Sequence, residues 1–577
     1  MLSVSTLILS FTLSFVPADE SWLGLVSPET DIAIRVSGVE GSSKNLIAML
    51  KAMSEKLGAQ AQPAIEQGVE AFRAQAGNHA VTDPFVILVR AIAPENPASP
   101  PFAVIVKSDA YEGVLKGVIG DAELKLKPVD GIDSFDARDG QTWFAAKKSG
   151  HVIFGGDKIL VGSFAKSDGK SRATSITTAD QQRFARGDVG IYVNIAALTA
   201  RYGDQIAQGK QAFMAALDQA PQAPGMAESM ESVKKMYGVM FDGVKDFDSL
   251  VLSLDFSAEG LNVDGQVAAK SDSKIVKSLE KIKATPASDL ATLPAGATYY
   301  MHATIDADLF SKLQSMGLNM MAPGGKSSKE ITEILAKSKL TGTTEMNGSV
   351  SLGNGMRSLN VTKGSNLKSV LAATEEMYKA MTKLDGPMNL FKEIKVTPNA
   401  EKYQDVSFTR VEMIIDEEKL AKLQPGNPAA GNAIKAMYGG NTLISWYGAS
   451  DEKLFQVVDK TWDGAKAQLD AMTSGKNNLG SINEFKSLRD KLPKQVSAVA
   501  IVDAQGLVQQ VLATIGAMAG GNAPAKPATG SAVSSALLGM SLTVNPPTGL
   551  EFHIVLPSKV VTEIQKGIAP LIPGAQP

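Results

Sequence analysis

The feature that most constrains this chain is a repeated local pattern. Residues 253–279 read SLDFSAEGLNVDGQVAAKSDSKIVKSL, and residues 541–564 read SLTVNPPTGLEFHIVLPSKVVTEI. Each runs as a strand, a short turn, Gly-Leu, a second strand, a polar break and an amphipathic helix. A looser third copy, SVSLGNGMRSLNVTKGSNLKSVL, begins at Ser349. The turns (Ala258-Glu259-Gly260, Pro546 to Gly549, Gly353-Asn354-Gly355) hold the residues that reverse a strand without steric cost. Alternation at Leu252, Leu254 and Phe256 predicts half-buried antiparallel strands.

A second pattern recurs beside the first. Residues 188–198, DVGIYVNIAAL, align without a gap on residues 497–507, SAVAIVDAQGL. In each, a strand turns directly into a helix through Asn194 or Asp503, residues suited to a helix start. Short helices are expected upstream of both, over 175–184 and 481–485. Residues 32–46 and 299–309 read as further strand-to-helix passages. Repetition on this scale predicts an internal duplication, with halves at 19–289 and 290–577; the alternative is one continuous sheet assembly without separable domains. A helix over 273–282 closes the first half, and Leu293-Pro294-Ala295-Gly296 opens the second.

Helical spacing is clear elsewhere. Leu46, Leu50, Met53 and Leu57 share a face, with Pro63 expected to break the run before Ile65, Val69 and Phe72 continue it. Leu367, Val370, Leu371, Thr374, Met377 and Met381 define another face. So do Leu454, Val457, Val458, Thr461, Trp462 and Leu469. Residues 85–91, 102–107, 142–146, 152–154 and 159–161 read as a meander of strands. Exposed loops are expected at 94–101, 221–225, 425–431 and 520–531, the last (GGNAPAKPATGS) the most flexible by composition. Short local hairpins mixed with helices give the fold class: α+β, with antiparallel sheets and hairpins and amphipathic helices packed on one face, internally duplicated.

Composition narrows the function classes. With 577 residues the chain has length for several domains and for extensive cores. Lys and Arg number 57 against 60 Asp and Glu. That balance lacks the broad positive field a phosphate backbone demands, so nucleic-acid binding is not expected. There is no cysteine, which removes disulfides, thiolate nucleophiles, Cys-ligated zinc, iron–sulfur clusters and a cysteine lipid anchor. It also suits an exported protein, since unpaired thiols mispair in oxidising compartments.

Residues 2–16 form an apolar segment too short to span a bilayer comfortably. Val16-Pro17-Ala18 then precedes Asp19-Glu20, small residues at the −3 and −1 positions of a cleavage site after Ala18. No Lys or Arg occurs before Arg35, so the usual basic start of a signal peptide is missing. Residues 1–18 are read as a signal peptide, and the protein as periplasmic or secreted. No later segment reaches 18 uninterrupted apolar residues; residues 500–519 come nearest but carry Asp503, Gln505, Gln509 and Gln510. A transmembrane segment in the mature chain is not expected.

A search for chemistry returns no committed catalytic, cofactor-binding or metal-ligating residue. The four histidines, His79, His151, His302 and His553, lack the spacing of a local metal motif. His302 and His553 lie inside strand patterns and read as structural. No G-x-S-x-G elbow supports a triad. Gly169-Lys170-Ser171 and Gly325-Lys326-Ser327 end like phosphate loops, yet the leading glycine is replaced by Phe164 and Met320. No G-x-G-x-x-G follows a strand. Asp130, Asp133, Asp136 and Asp139 repeat every third residue, which is wrong for the alternate-residue ligands of a calcium loop and reads as a solvated hairpin. Methionines at 316, 320, 321, 377, 381 and 388 suit core filling, or the walls of an apolar groove.

The repeated plan resembles a group of exported bacterial proteins known only as domains of unknown function. The matching stretches are Leu293-Pro294-Ala295 before a strand, Gly155-Gly156-Asp157 before ILVGSF, GDVGIYVNIAAL, and GLNVDGQVAAKSDSKIVKSL. The resemblance implies a cell-envelope or secreted α+β protein and brings no catalytic residues with it. The expected function is a non-enzymatic envelope scaffold or binding module whose partner is an unknown protein. A periplasmic carrier of an apolar or lipid-like ligand is the alternative, and a hydrolase with a site built from scattered residues the third. No cofactor is expected. A pocket joining His302, His553 and an acidic residue would favour the enzyme.

Overall fold

The computed structural model describes residues 22–76, 82–91, 101–120, 122–137, 140–166, 176–219, 241–270, 279–307, 343–352, 355–381, 391–423, 438–518, 536–545 and 549–568, with a few single residues between them. The signal-peptide reading, His79, both Gly-Lys-Ser triplets and Met316, Met320, Met321 and Met388 lie outside the described residues, as do almost all of the four expected loops. The helix expected over 273–282 falls only partly within them.

Described residues divide into two compact units. One gathers those of 1–47, 61–201 and 249–256, the other those of 48–60, 202–248 and 257–577. Strands of the first unit are β1 (Ile32–Val36), β2 (Phe85–Val89), β3 (Phe102–Lys107), β4 (Lys127–Val129), β5 (Ile132–Asp136), β6 (Thr142–Lys148), β7 (His151–Gly155), β8 (Val189–Val193) and most of β9 (Phe247–Ser257). They pair in the order β9-β8-β1-β2-β3-β7-β6-β5-β4, every pair antiparallel.

The second unit holds β10 (Gly260–Ala269), β11 (Tyr299–Asp306), β12 (Thr343–Ser351), β13 (Arg357–Lys363), β14 (Phe391–Tyr403), β15 (Val406–Ile415), β16 (Thr442–Ala449), β17 (Lys453–Val458), β18 (Ala498–Asp503), β19 (Leu537–Asn545) and β20 (Gly549–Pro557). Their order is β10-β20-β19-β18-β11-β12-β13-β17-β16-β15-β14, again antiparallel throughout. From β19 onward this order matches that of the first unit strand for strand. The match extends to single hydrogen bonds. Asn194 N donates to Asp31 O at 2.8 Å where β8 ends, and Asp503 N donates to Thr298 O at 2.8 Å where β18 ends. Ser37 N donates to Asp188 O at 2.9 Å, and Thr304 N to Ser497 O at 2.8 Å.

Helices pack on both faces of each sheet, where the amphipathic patterns predict one, and leave part of one face of the second sheet uncovered. In the second unit, α7 (Leu367–Met381) packs Leu371, Tyr378 and Met381 against Val411, Tyr447 and Val458. On the reverse face α9 (Trp462–Ser474) and α10 (Asn483–Lys491) bury Ala465, Leu469, Phe485 and Leu488 against Leu359, Trp446, Val457 and Ile501. The adjacent pairs Trp446/Tyr447 and Val457/Val458 serve opposite cores because neighbouring strand residues point to opposite faces. The first unit repeats this division. There α3 (Tyr111–Ile119) lies over Val152 and Phe154, while α4 (Lys158–Lys166) and α5 (Thr178–Ala185) lie over Ile105 and Ile153. A single helix can bury only one stripe, so strands that are apolar on both sides require two helical layers.

Three local expectations are corrected. Leu454, Val457 and Val458 lie on β17, not on a helix face, because that segment pairs on both sides with β13 and β16, and the helix opens only at Trp462 in α9. Residues 159–161 do not form a strand but open α4, whose start is capped by Asp157 Oδ1 accepting from Ile159 N at 2.8 Å and Leu160 N at 3.2 Å. Leu160, Val161 and Phe164 then bury on one side, a spacing that a three-residue apolar run cannot reveal. Pro63 does not break a helix either. The break falls at Ser54, between α1 (Val39–Met53) and α2 (Glu55–Ala76), and Pro63 sits inside α2. Ser54 Oγ accepts from Leu57 N at 3.3 Å, which supplies a new helix start before the proline is reached. Pro63 removes one backbone donor there.

The outer strands are ill suited to pairing. β4 begins Lys127-Pro128, and β14 carries Lys392, Lys395, Pro398 and Lys402 with a register shift between Thr397 and Glu401. Proline, lysine and bulges all discourage an additional strand.

Candidate functional site

Two of the four histidines, His302 and His553, fall on one face of the second unit. Direct cross-strand neighbours share a face, and the registers give a continuous row: Val361, Asn347, His302, Val499, Ser541, His553, Asp264. His302 is fully buried on β11. Its Nδ1 donates to Asn347 Oδ1 at 2.9 Å, and its Nε2 lies 2.9 Å from the Thr285 hydroxyl. These roles follow from the acceptor assigned to Asn347. Thr285 is placed there by its antiparallel bridge to Val496. Further along β11, Thr304 and Asp306 are also buried on this face. Asn347 Nδ2, Ser541 Oγ and Asp306 Oδ1 are buried without a hydrogen-bonding partner.

His553 meets an acid, but not His302. Its Nδ1 lies 3.4 Å from Asp264 Oδ1 across the β10–β20 pair. Val499 and Ser541 intervene between the two imidazoles, so three strand spacings, about 14 Å, separate them. Both nitrogens of His302 are already engaged. The row is therefore a polar seam within a packed sheet and not an acid–base pair about one reacting atom.

The remaining candidates disperse. His151 donates from Nδ1 to the Ser149 carbonyl at 2.8 Å and packs edge-on to Trp22, ring centroids 5.4 Å apart. Burial pushes its pKa down, opposed by the bond to Ser149. Asp130 pairs with Lys158 at 2.8 Å, and Asp133 accepts from the Tyr111 hydroxyl at 2.8 Å. Among the described residues no group of three or more His, Asp and Glu side chains is placed to hold a metal ion. None of the described helices is long and apolar enough to cross a membrane.

One polar cluster escaped the sequence reading. Beneath α7 the hydroxyls of Tyr378 and Tyr447 are bonded, Gln456 Nε2 donates to Tyr447 Oη at 3.1 Å, and Thr409 donates to Glu375. Burial holds both phenols above their ordinary range. The signal was present: Thr409, Tyr447, Gln456 and Asn360 are consecutive cross-strand neighbours. Their sequence separation hid the alignment.

The opposite face of the central strands is apolar and open. One row runs Met301, Ala500, Met540, Ile554, Val263; the adjoining row runs Met346, Ala303, Ala498, Leu542, Phe552. Met301 is 44% exposed, Met540 38% and Leu542 36%. No family model, no curated protein and no solved structure matches the chain. The apolar strip must therefore be read on its own chemistry. α7 packs over β14, β16 and β17, and α11 (Ala504–Met518) and α12 (Ser558–Ile568) pack at Leu538 and Leu556. The strip lies on the strands between these helices. Ten side chains in two adjacent rows without a polar member form a contiguous patch, the kind of surface that marks interaction sites more often than solvent.

Proposed function

We propose that the protein is a non-enzymatic, exported binding module that presents the open sheet face of its second unit to an apolar surface of a partner protein. The observation that carries this reading is the pair of apolar rows with Met301, Met540 and Leu542 standing exposed along them. Flexible thioethers adapt to varied apolar partners, and the alanines between them let a partner approach closely. Export rests on the apolar start of the chain, the absence of cysteine and the resemblance described above.

We also read the chain as an internal duplication, supported by the strand order common to the two units. Gly260 and Gly549 open the second strands of equivalent hairpins, and both have positive φ (140° and 131°).

The test is binding of the environment-sensitive dye bis-ANS to the full chain. Parent protein is expected to bind with enhanced fluorescence, and Met301→Lys/Met540→Lys to lose most of it with an unchanged melting temperature. Equal fluorescence in both proteins would remove the face from consideration. The carrier reading uses the same apolar rows, and a discrete adduct in a native mass spectrum of protein from its host would favour it.

A further inference from the structure

The β10–β20 pair is built as a two-fold. Gly260 stands opposite Pro557 and Ala268 opposite Gly549, so each hairpin glycine meets the far end of the other strand. The environments correspond too. A Cβ on Gly260 would lie 2.1 Å from Leu556 O, and one on Gly549 would lie 2.0 Å from Val267 O. Counting from the glycines, Leu556 and Val267 hold the same place. Asp264 and His553 also hold the same place, and they face each other at the midpoint of the pairing.

A residue at the midpoint of a two-fold faces its own counterpart. If both strands carried the same residue there, two carboxylates or two imidazoles would oppose each other, and like charges directly across a ladder are unfavourable. The seam instead carries an acid on one strand and an imidazole on the other, with Nδ1 and Oδ1 3.4 Å apart. Glu551 lies on the same face of β20, two residues before His553; Ser541 and Gln266 are the uncharged neighbours.

We propose that Asp264 and His553 form a pairing-specificity device: they make β10 and β20 complementary to each other and each strand a poor match for another copy of itself. The inference rests on the duplication reading above. It specifies the partner that the β10 surface fits, namely β20, and the surface it rejects, a second β10. Discrimination built from a repulsive alternative is the usual route to specific pairing between similar surfaces.

The test is a double-mutant cycle on the full chain by chemical denaturation at neutral pH. His553→Asp sets two carboxylates face to face and is expected to raise the unfolding equilibrium constant about fivefold. Asp264→His opposes two imidazoles and is expected to raise it by a smaller factor. The exchanged double variant restores an acid facing an imidazole, and its unfolding constant is expected within about twofold of the parent. Additive losses, with the double variant worse than either single, would overturn the device. The duplication is checked separately by Gly260→Ala and Gly549→Ala, which occupy equivalent places; clearly unequal losses would refute the duplication whatever the cycle gives.

Discussion

Asp264 faces His553 four residues beyond Gly260 on one strand and four beyond Gly549 on the other. The two side chains come from separate hairpins, yet their positions in the pairing correspond about its midpoint. Consequences of that equivalence can be measured without knowing any ligand.

The two hairpin glycines should fail alike. Both have positive φ, and any Cβ would press on a carbonyl of the opposite strand. Gly260→Ala and Gly549→Ala are each expected to cost about 1–3 kcal/mol in denaturant unfolding, the range for backbone strain of this kind. Gly140, which has positive φ but open space around it, supplies a control in which only the backbone contribution is lost.

Absence of cysteine allows a direct check of register. Val263 and Ile554 are directly opposite, at a separation an antiparallel ladder makes compatible with a disulfide. Val263→Cys/Ile554→Cys is expected to oxidise within one chain, with the mass falling by two hydrogens and no dimer on a non-reducing gel. Moving one cysteine to Phe552 should abolish efficient closure.

His151 predicts an acid-side loss of stability. Burial depresses its folded pKa below the ordinary imidazole value, near 6.5 in the unfolded chain. The folded state then binds fewer protons than the unfolded state. Its contribution is complete above about pH 6.5 and disappears as pH falls through the lower folded value. The melting temperature should fall as the pH is lowered below about 6.5, and His151→Gln should flatten that part of the profile. Trp22 fluorescence reports the same site, given the edge-on contact.

The buried phenol pair predicts a cost for its removal. Tyr447→Phe leaves the Tyr378 hydroxyl and Gln456 Nε2 without their shared partner. About 1–3 kcal/mol of destabilisation is expected, as for other unpaired buried polar groups. Tyr111→Phe, whose hydroxyl bonds the part-exposed Asp133, should cost less.

Local elements were legible in the sequence where turn chemistry and periodicity agreed. The β9–β10 and β19–β20 strands, the passages through Asn194 and Asp503, and α7 all lie where their residues place them. Residues 159–161 misled because an apolar triplet fits both periods, and only the Asp157 cap decides for a helix. Pro63 misled because proline penalises a helix interior without forbidding it, and Ser54 offered a better start. The seam could not be read. His302, Ser541 and Asp264 become neighbours of one row only through strand pairings between distant segments, and no local preference encodes those. The same holds for the open apolar face: Met301, Ala500 and Met540 are ordinary strand residues until the register aligns them.

The lysines and prolines of β4 and β14 have a consequence for the molecule in concentrated surroundings. Open-ended sheets invite end-to-end growth into fibres, each added chain exposing a fresh template. Here Pro128 and Pro398 offer the next chain no backbone N–H to accept, and Lys392, Lys395 and Lys402 keep water at the rim. Growth of a sheet from one molecule into the next is therefore disfavoured along these two strands.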